Sequence, residues 1–188
     1  MLATRSRKGT LGMGTSAELN QFLIEVEKRA FAMAMVSVKN KDDALDIVQD
    51  VMMTLARKYA GKPASEWPPL FFRILRNRIT DHHRSGSIKK RIFGWFGDDG
   101  EDTVDLIVGD EIEEPEARQA QASLRDRLLE ALAKLPDRQR EAFLFRIWEG
   151  LSVRDTAKTM GCSEGSVKTH LSRATGALRE LLPEYGGE

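Results

Sequence analysis

The sequence predicts an all-α fold: two small helical domains joined by a flexible acidic linker. Three observations carry this. Apolar residues recur at three- and four-residue steps over two separate stretches, no stretch keeps the two-residue period of a strand, and the segment between the stretches holds no steady period at all. A chain of 188 residues is long enough to divide into two compact units with their own cores. The expected divisions are a disordered N-terminus over 1–14, a first domain over 15–91, a linker over 92–122 and a second domain over 123–188. Met13 offers an alternative start to Met1.

In the first stretch Leu19, Phe22, Leu23, Val26, Ala30 and Met33 mark one face of an amphipathic helix. Asp42 or Asp43 is placed to cap a second helix, whose stripe is Ala44, Ile47, Val48, Val51, Met52 and Leu55. Ala60-Gly61-Lys62-Pro63 breaks the pattern and Trp67-Pro68-Pro69 restarts it. Phe71, Ile74, Leu75 and Ile79 then carry a third helix to about Arg84, and the linker character begins at Ser85. An aromatic island, Phe93, Trp95 and Phe96, is read as a piece that docks on a neighbouring domain. In the second stretch Leu124, Leu128, Leu132 and Leu135 form a helix stopped by Pro136. Asp137 is expected to cap the next, with Ala142, Phe143, Ile147 and Trp148 inward and Gly150 at its end.

The net charge of zero conceals a division. Residues 1–91 carry 17 Lys and Arg against 9 Asp and Glu, residues 92–123 carry 1 against 10, and the remainder carries 11 against 10. A basic module followed by an acidic tether suits a nucleic-acid partner. A single cysteine, Cys162, excludes an internal disulfide framework, and no apolar run approaches the roughly 20 residues that cross a bilayer. A cytoplasmic protein without membrane insertion is expected.

From Ser152 onward the chain shows a positioned pattern. Ser152 and Asp155 make a capping box, Val153, Ala157 and Met160 face inward, Gly161 permits a left-handed turn, and Ser163 caps a second helix. This is the layout of a helix-turn-helix. On its second helix Val167, Leu171, Ala174, Leu178 and Leu181 form the buried side, whereas Lys168, Thr169, Ser172, Arg173 and Arg179 form a polar, cationic side suited to a major groove.

The runs Leu132-Ala133-Lys134-Leu135-Pro136-Asp137-Arg138-Gln139-Arg140-Glu141, Glu149-Gly150-Leu151-Ser152 and Ser163 to Ala174 resemble region 4 of the extracytoplasmic-function (ECF) sigma factors of the sigma-70 family. Asp43 to Val51 and Arg76-Asn77-Arg78-Ile79-Thr80-Asp81-His82-His83-Arg84 resemble region 2 of the same family, so the likeness extends over both stretches. The resemblance implies a protein that binds core RNA polymerase, at the beta-prime clamp and the beta flap, and directs transcription initiation at promoter DNA. It assigns Lys168, Thr169, Ser172, Arg173 and Arg179 to the minus-35 element, and Arg73, Arg76, Asn77, Asp81, His82 and Arg84 to the minus-10 element. It assigns Asp46, Gln49 and Asp50 to polymerase, and their spacing places them on one helix face. It admits an anti-sigma factor as a further partner, and it implies that the acidic segment Asp98-Asp99-Gly100-Glu101-Asp102 threads toward the RNA-exit path.

Departures from the family pattern are Ala56 and Leu70, where tryptophan is common, and His83, where an aliphatic residue is common. No catalytic triad, phosphate-cradling loop or metal-ligand spacing is recognisable, and His82-His83 diverge as neighbours on a helix, so no enzyme activity, cofactor or metal is expected. A helix-turn-helix regulator that finds its operator without polymerase remains the alternative. A sigma mimic that only sequesters an anti-sigma protein would be expected to lose the cationic face that Lys168 and Arg173 supply.

Overall fold

The computed structural model describes residues 15–93 and 115–183, with side chains described over 15–85 and 124–183. The linker reading over 94–114, including Trp95, Phe96 and the acidic run, and the reading of residues 1–14 lie outside the described residues. Helices α1 (Ser16–Val38), α2 (Lys41–Tyr59) and α3 (Trp67–Phe93) build the first unit. Helices α4 (Pro115–Lys134), α5 (Asp137–Phe143), α6 (Val153–Met160) and α7 (Glu164–Leu181) build the second. No strand occurs among the described residues.

The helix starts follow from local chemistry. Thr15 accepts from the backbone N–H of Glu18 at 3.2 Å while its own N–H donates to Glu18 Oε2 at 2.7 Å, which satisfies two of the donors a helix start leaves unpaired. Lys39 adopts a left-handed conformation, φ 56°, and ends α1. Asn40, not Asp42 or Asp43, caps α2: its side chain accepts from Asp43 N at 3.0 Å, and the two acids occupy the first turn against the positive helix end.

The predicted stripes of α1 and α2 face the core, with Leu19, Val26, Ala30 and Met33 buried beside Ala44, Ile47, Val48, Val51 and Leu55. Ala32, Ala34, Met35 and Val36 are buried as well, so the last part of α1 is enclosed all round. Trp67 fills the centre with 1 % exposure and donates its indole N–H to Tyr59 O at 3.2 Å. A row of rings extends from it: Phe22 lies 6.1 Å from Trp67 and 5.8 Å from Phe71, and Phe71 lies 5.4 Å edge-on from Phe72. Of the two positions that depart from the expected pattern, Ala56 is exposed and Leu70 is half-buried, and the large ring of this core is Trp67.

Helix α3 runs past Arg84 to Phe93, one continuous element through the basic cluster Lys89 to Arg91. Loop chemistry after Ser85 suggested an earlier stop, but Ser85 and Gly86 lower helix propensity only modestly, and neither breaks the backbone ladder as proline would.

In the second unit Asp137 does not cap α5. Pro136 holds the cap position without a side-chain bond, and Asp137 instead pairs with the buried Arg140 at 2.5 Å. After Phe143 the helix widens to a π-helical turn over Leu144–Trp148. The extra residue per turn rotates Leu144 and Phe145 inward and turns Ile147, an expected core residue, out to 55 % exposure. Gly150, φ 65°, ends this element as expected.

The two units pack against each other, with α6 against α3 and α4 against α1. Phe72 and Phe145 lie 5.9 Å apart across the seam, Thr159 donates its hydroxyl to Pro69 O at 3.4 Å, and two ion pairs cross the same boundary, Arg76–Glu141 and Arg29–Glu149. Trp67→Ala is expected to lower unfolding free energy by about 3 to 5 kcal/mol, through forfeited transfer energy and the cavity left behind. Urea unfolding followed by circular dichroism measures it.

Candidate nucleic-acid interface

The helix-turn-helix is assembled by its caps. Ser152 Oγ accepts from Asp155 N at 3.0 Å and donates to Asp155 Oδ2 at 2.6 Å, which also holds that carboxyl below its ordinary pKa. Gly161 takes φ 63°, a conformation that a β-carbon would strain, and Ser163 Oγ accepts from Ser166 N at 3.1 Å to start α7. Arg138 donates to Met160 O at 2.7 Å and ties α5 to the end of α6. Arg146 donates to the carbonyl of Leu151 and braces the turn before α6.

With α6 fixed, Val167, Ala174 and Leu178 of α7 are buried and Leu171 is half-buried. The last predicted core position shifts by one: Leu181 is 39 % exposed and Leu182 is buried in its place, because the backbone leaves helical geometry at Leu182, φ −131°. Lys168, Thr169, Ser172, Arg173 and Arg179 are all exposed, as the helical period predicts. Thr169 donates its hydroxyl to Gly165 O at 3.1 Å, so toward a ligand it is left as an acceptor. Among the described residues no acid pairs with Lys168, Arg173 or Arg179.

The predicted residues of α3 are divided by the structure. Arg73, Asn77, Asp81 and Arg84 lie on one exposed arc. Arg76 stands at the edge of that arc, half-buried, with its Nε 2.9 Å from Glu141 Oε1 of the second unit. His82 points to the other edge, where its Nε2 meets Asp43 Oδ2 at 3.0 Å, and Arg78 beside it meets Asp50 Oδ2 at 2.6 Å. His82 therefore serves the α2–α3 packing and not the arc.

On α2, Asp46 and Gln49 are exposed, while Asp50 is held by Arg78. Leu45 and Met53, 49 % and 40 % exposed, complete an arc with these three that spans about 140° at about 100° per residue. Neither residue is among those the sequence singles out as functional. Their signal was present: neither fits the stripe of Ala44, Ile47, Val48, Val51 and Leu55, so each is a large apolar side chain with nothing to cover it. The face is thus mixed, with carboxylates and an amide flanked by apolar side chains, a pattern suited to a protein partner.

Residues 125–178 match the family described as Sigma-70, region 4. The chain is 32 % identical over 170 residues to the ECF RNA polymerase sigma factor EcfG of Rhodopseudomonas palustris, covering 85 % of this chain and 81 % of that protein. It belongs to the ECF sigma factors. It is also 29 % identical over 153 residues to the ECF sigma factor BldN of Streptomyces coelicolor, covering 78 % of this chain but only 53 % of that longer protein. Among solved structures, the sigma factor RpoE of Bartonella quintana, crystallised with the anti-sigma factor NepR, superposes with a TM-score of 0.66 at 28 % identity over 88 % of this chain and 97 % of that one. CnrH, solved with the cytosolic domain of CnrY, shares the fold with a TM-score of 0.57 at 19 % identity, over 92 % of each chain.

In this sigma factor the most enclosed acid among the described residues is Glu149. Its side chain is 3 % exposed and both its oxygens accept from Arg29 Nε, at 3.1 and 3.2 Å. Burial pushes its carboxyl above the ordinary range, and Arg29 opposes the shift without cancelling it. A raised folded-state pKa means that the contribution of this group is fully present below the unfolded value and is lost as pH rises through the folded value. Glu149→Gln, which cannot titrate, is therefore expected to gain stability relative to the parent as pH rises from acid toward neutral. Thermal unfolding of both proteins across that range checks it, and a difference that shrinks with rising pH contradicts it.

Proposed function

We propose that this chain binds core RNA polymerase and directs promoter recognition, the first unit serving as region 2 at the minus-10 element and the second as region 4 at the minus-35 element. It initiates transcription without catalysing a reaction of its own, and it does so in the cytoplasm. Among the described residues no helix is long and apolar enough to cross a membrane.

The observation that carries the reading is the pairing of two faces in one chain. A helix-turn-helix offers Lys168, Thr169, Ser172 and Arg173 on a groove-sized cationic face, and α2 offers Asp46, Gln49, Leu45 and Met53 as a separate protein-docking face. A regulator that acts without polymerase has no need of the second. Arg73, Asn77, Asp81 and Arg84 are the minus-10 residues that the exposed arc of α3 presents, with Arg76 joining them once it is released from Glu141. Arg guanidinium groups there hold phosphates while the strand is opened. Docking is expected at the beta-prime clamp through Asp46, Gln49 and Asp50, and at the beta flap through the second unit. The crystallised complex of RpoE with NepR supports an anti-sigma factor as a further partner.

Run-off transcription from genomic DNA with purified core polymerase, with and without this protein, tests the reading, and specific transcripts are expected only in its presence. Lys168→Ala or Arg173→Ala is expected to weaken promoter recognition by about 1 to 3 kcal/mol for each base that is no longer read, with polymerase association unchanged. Asp50→Ala is expected to weaken association with polymerase itself. Tight, sequence-specific duplex binding in the absence of polymerase would favour the regulator instead.

A further inference from the structure

We infer that Arg78 is a positioning residue for polymerase docking: its guanidinium reaches from α3 to hold Asp50 of α2 in the orientation that the docking face requires. The inference rests on the assignment of Asp46, Gln49 and Asp50 to polymerase.

Arg78 does not belong to the DNA-facing arc of its own helix. At about 100° per residue it stands about 100° from the middle of the arc formed by Arg73, Asn77, Asp81 and Arg84. It turns toward α2 instead, where its Nε lies 2.6 Å from Asp50 Oδ2. A cation from the midst of the minus-10 run is thus engaged on the neighbouring helix.

The pair is ill suited to holding the fold together. Its side chains are 47 % and 43 % exposed, so water screens the attraction, and pairs of that kind contribute little to stability. The two helices already share a core that includes Val51, Leu55, Phe71 and Leu75, and the indole N–H of Trp67 binds Tyr59 O across the same boundary.

What the pair does fix is direction. An aspartate on a solvent-facing helix flank is free to change rotamer, and a complex that needs one rotamer bears the entropy of selecting it. Arg78 makes that selection in advance. It engages Oδ2, which leaves Oδ1 to accept from a donor on the partner. Asp50 stands at the end of the docking arc that borders α3. An arginine of α3 reaches it there without covering Asp46, Gln49, Leu45 or Met53, which stay exposed. Asp46, by contrast, has no ion-pair partner among the described residues. One docking acid is therefore preset by the minus-10 helix, and the other is left to adapt.

The experiment measures association and dissociation rates of the full chain with purified core polymerase for Arg78→Ala, Arg78→Lys, Asp50→Ala and the double alanine variant. Arg78→Ala is expected to weaken binding about two- to tenfold, mainly through faster dissociation, as for one side chain left unordered before docking. Arg78→Lys keeps a cation beside Asp50 and is expected to recover most of the loss. In the Asp50→Ala background Arg78→Ala is expected to have no further effect, because the residue it positions is gone. Asp43 lies in the first turn of α2, outside the docking arc, and meets His82 at 3.0 Å. Asp43→Ala is therefore the control for general loosening of α2 on α3, with core affinity expected as in the parent.

Arg78→Ala that binds as tightly as the parent, or that weakens Asp50→Ala further, overturns the inference, and so does an equal loss in Asp43→Ala. A defect confined to single-stranded minus-10 DNA at unchanged core affinity places Arg78 among the phosphate-holding cations and overturns it too. Should Arg78→Ala fold poorly, Arg78→Gln, uncharged and closer in length, carries the same comparison. A parent that never binds core polymerase defeats the proposed function itself, whereas a parent that binds with all Arg78 variants alike defeats only this assignment.

Discussion

The first unit and its seam with the second depend on a row of aromatic rings centred on α3. Trp67 and Phe71 close the first unit, Phe72 leans on Phe71, and Phe72 also meets Phe145 of the second. Offset and edge-on ring pairs combine large apolar burial with a geometric preference, so they set the rotation of α3 as well as its position. Once that rotation is fixed, Arg73, Asn77, Asp81 and Arg84 must face solvent, Arg78 and His82 must face α2, and Arg76 must face the other unit. One helix thus divides its polar residues among three neighbours because its apolar edge has a single place to go.

Charge is used differently at each of those boundaries. The pairs between α2 and α3, Arg78–Asp50 and His82–Asp43, are close to half-exposed and hydrated, so they steer more than they stabilise. Across the seam the Arg76–Glu141 pair is drier, and at the buried Glu149 the loss of water outweighs the attraction of the half-exposed Arg29. An ion pair of that kind contributes specificity of docking and little net adhesion. Together with the open cleft beside Glu141, this describes an association of two units that is definite in geometry and modest in strength, as interfaces between domains of one chain commonly are.

The helix-turn-helix shows the opposite economy. Its angle is set by short-range bonds, Ser152 to Asp155, Arg138 to Met160 and Ser163 to Ser166, with a left-handed glycine between the two helices. Each bond joins residues close in sequence or in adjoining helices, so the reading face of α7 keeps its shape whatever the other unit does. A face that must meet a rigid groove gains from such preorganisation.

The helical class, the core stripes of α1, α2 and α7, and the exposed cationic side of α7 were determined by the sequence alone, because each depends on a period of three to four residues or on a cap a few residues away. The same holds for Ser152, Gly161 and Ser163, whose roles are local. Tertiary structure decided the rest. The π-helical turn buries Leu144 and Phe145 and leaves Ile147 outside, whereas the cap at Asn40 and the continuation of α3 to Phe93 are local outcomes of capping and propensity. The partners of Arg76 and Arg29 lie 65 and 120 residues away, and no periodicity along a chain carries information over such a separation. Which charges remain open to a ligand, and which are already answered within the molecule, is a property of the assembled fold.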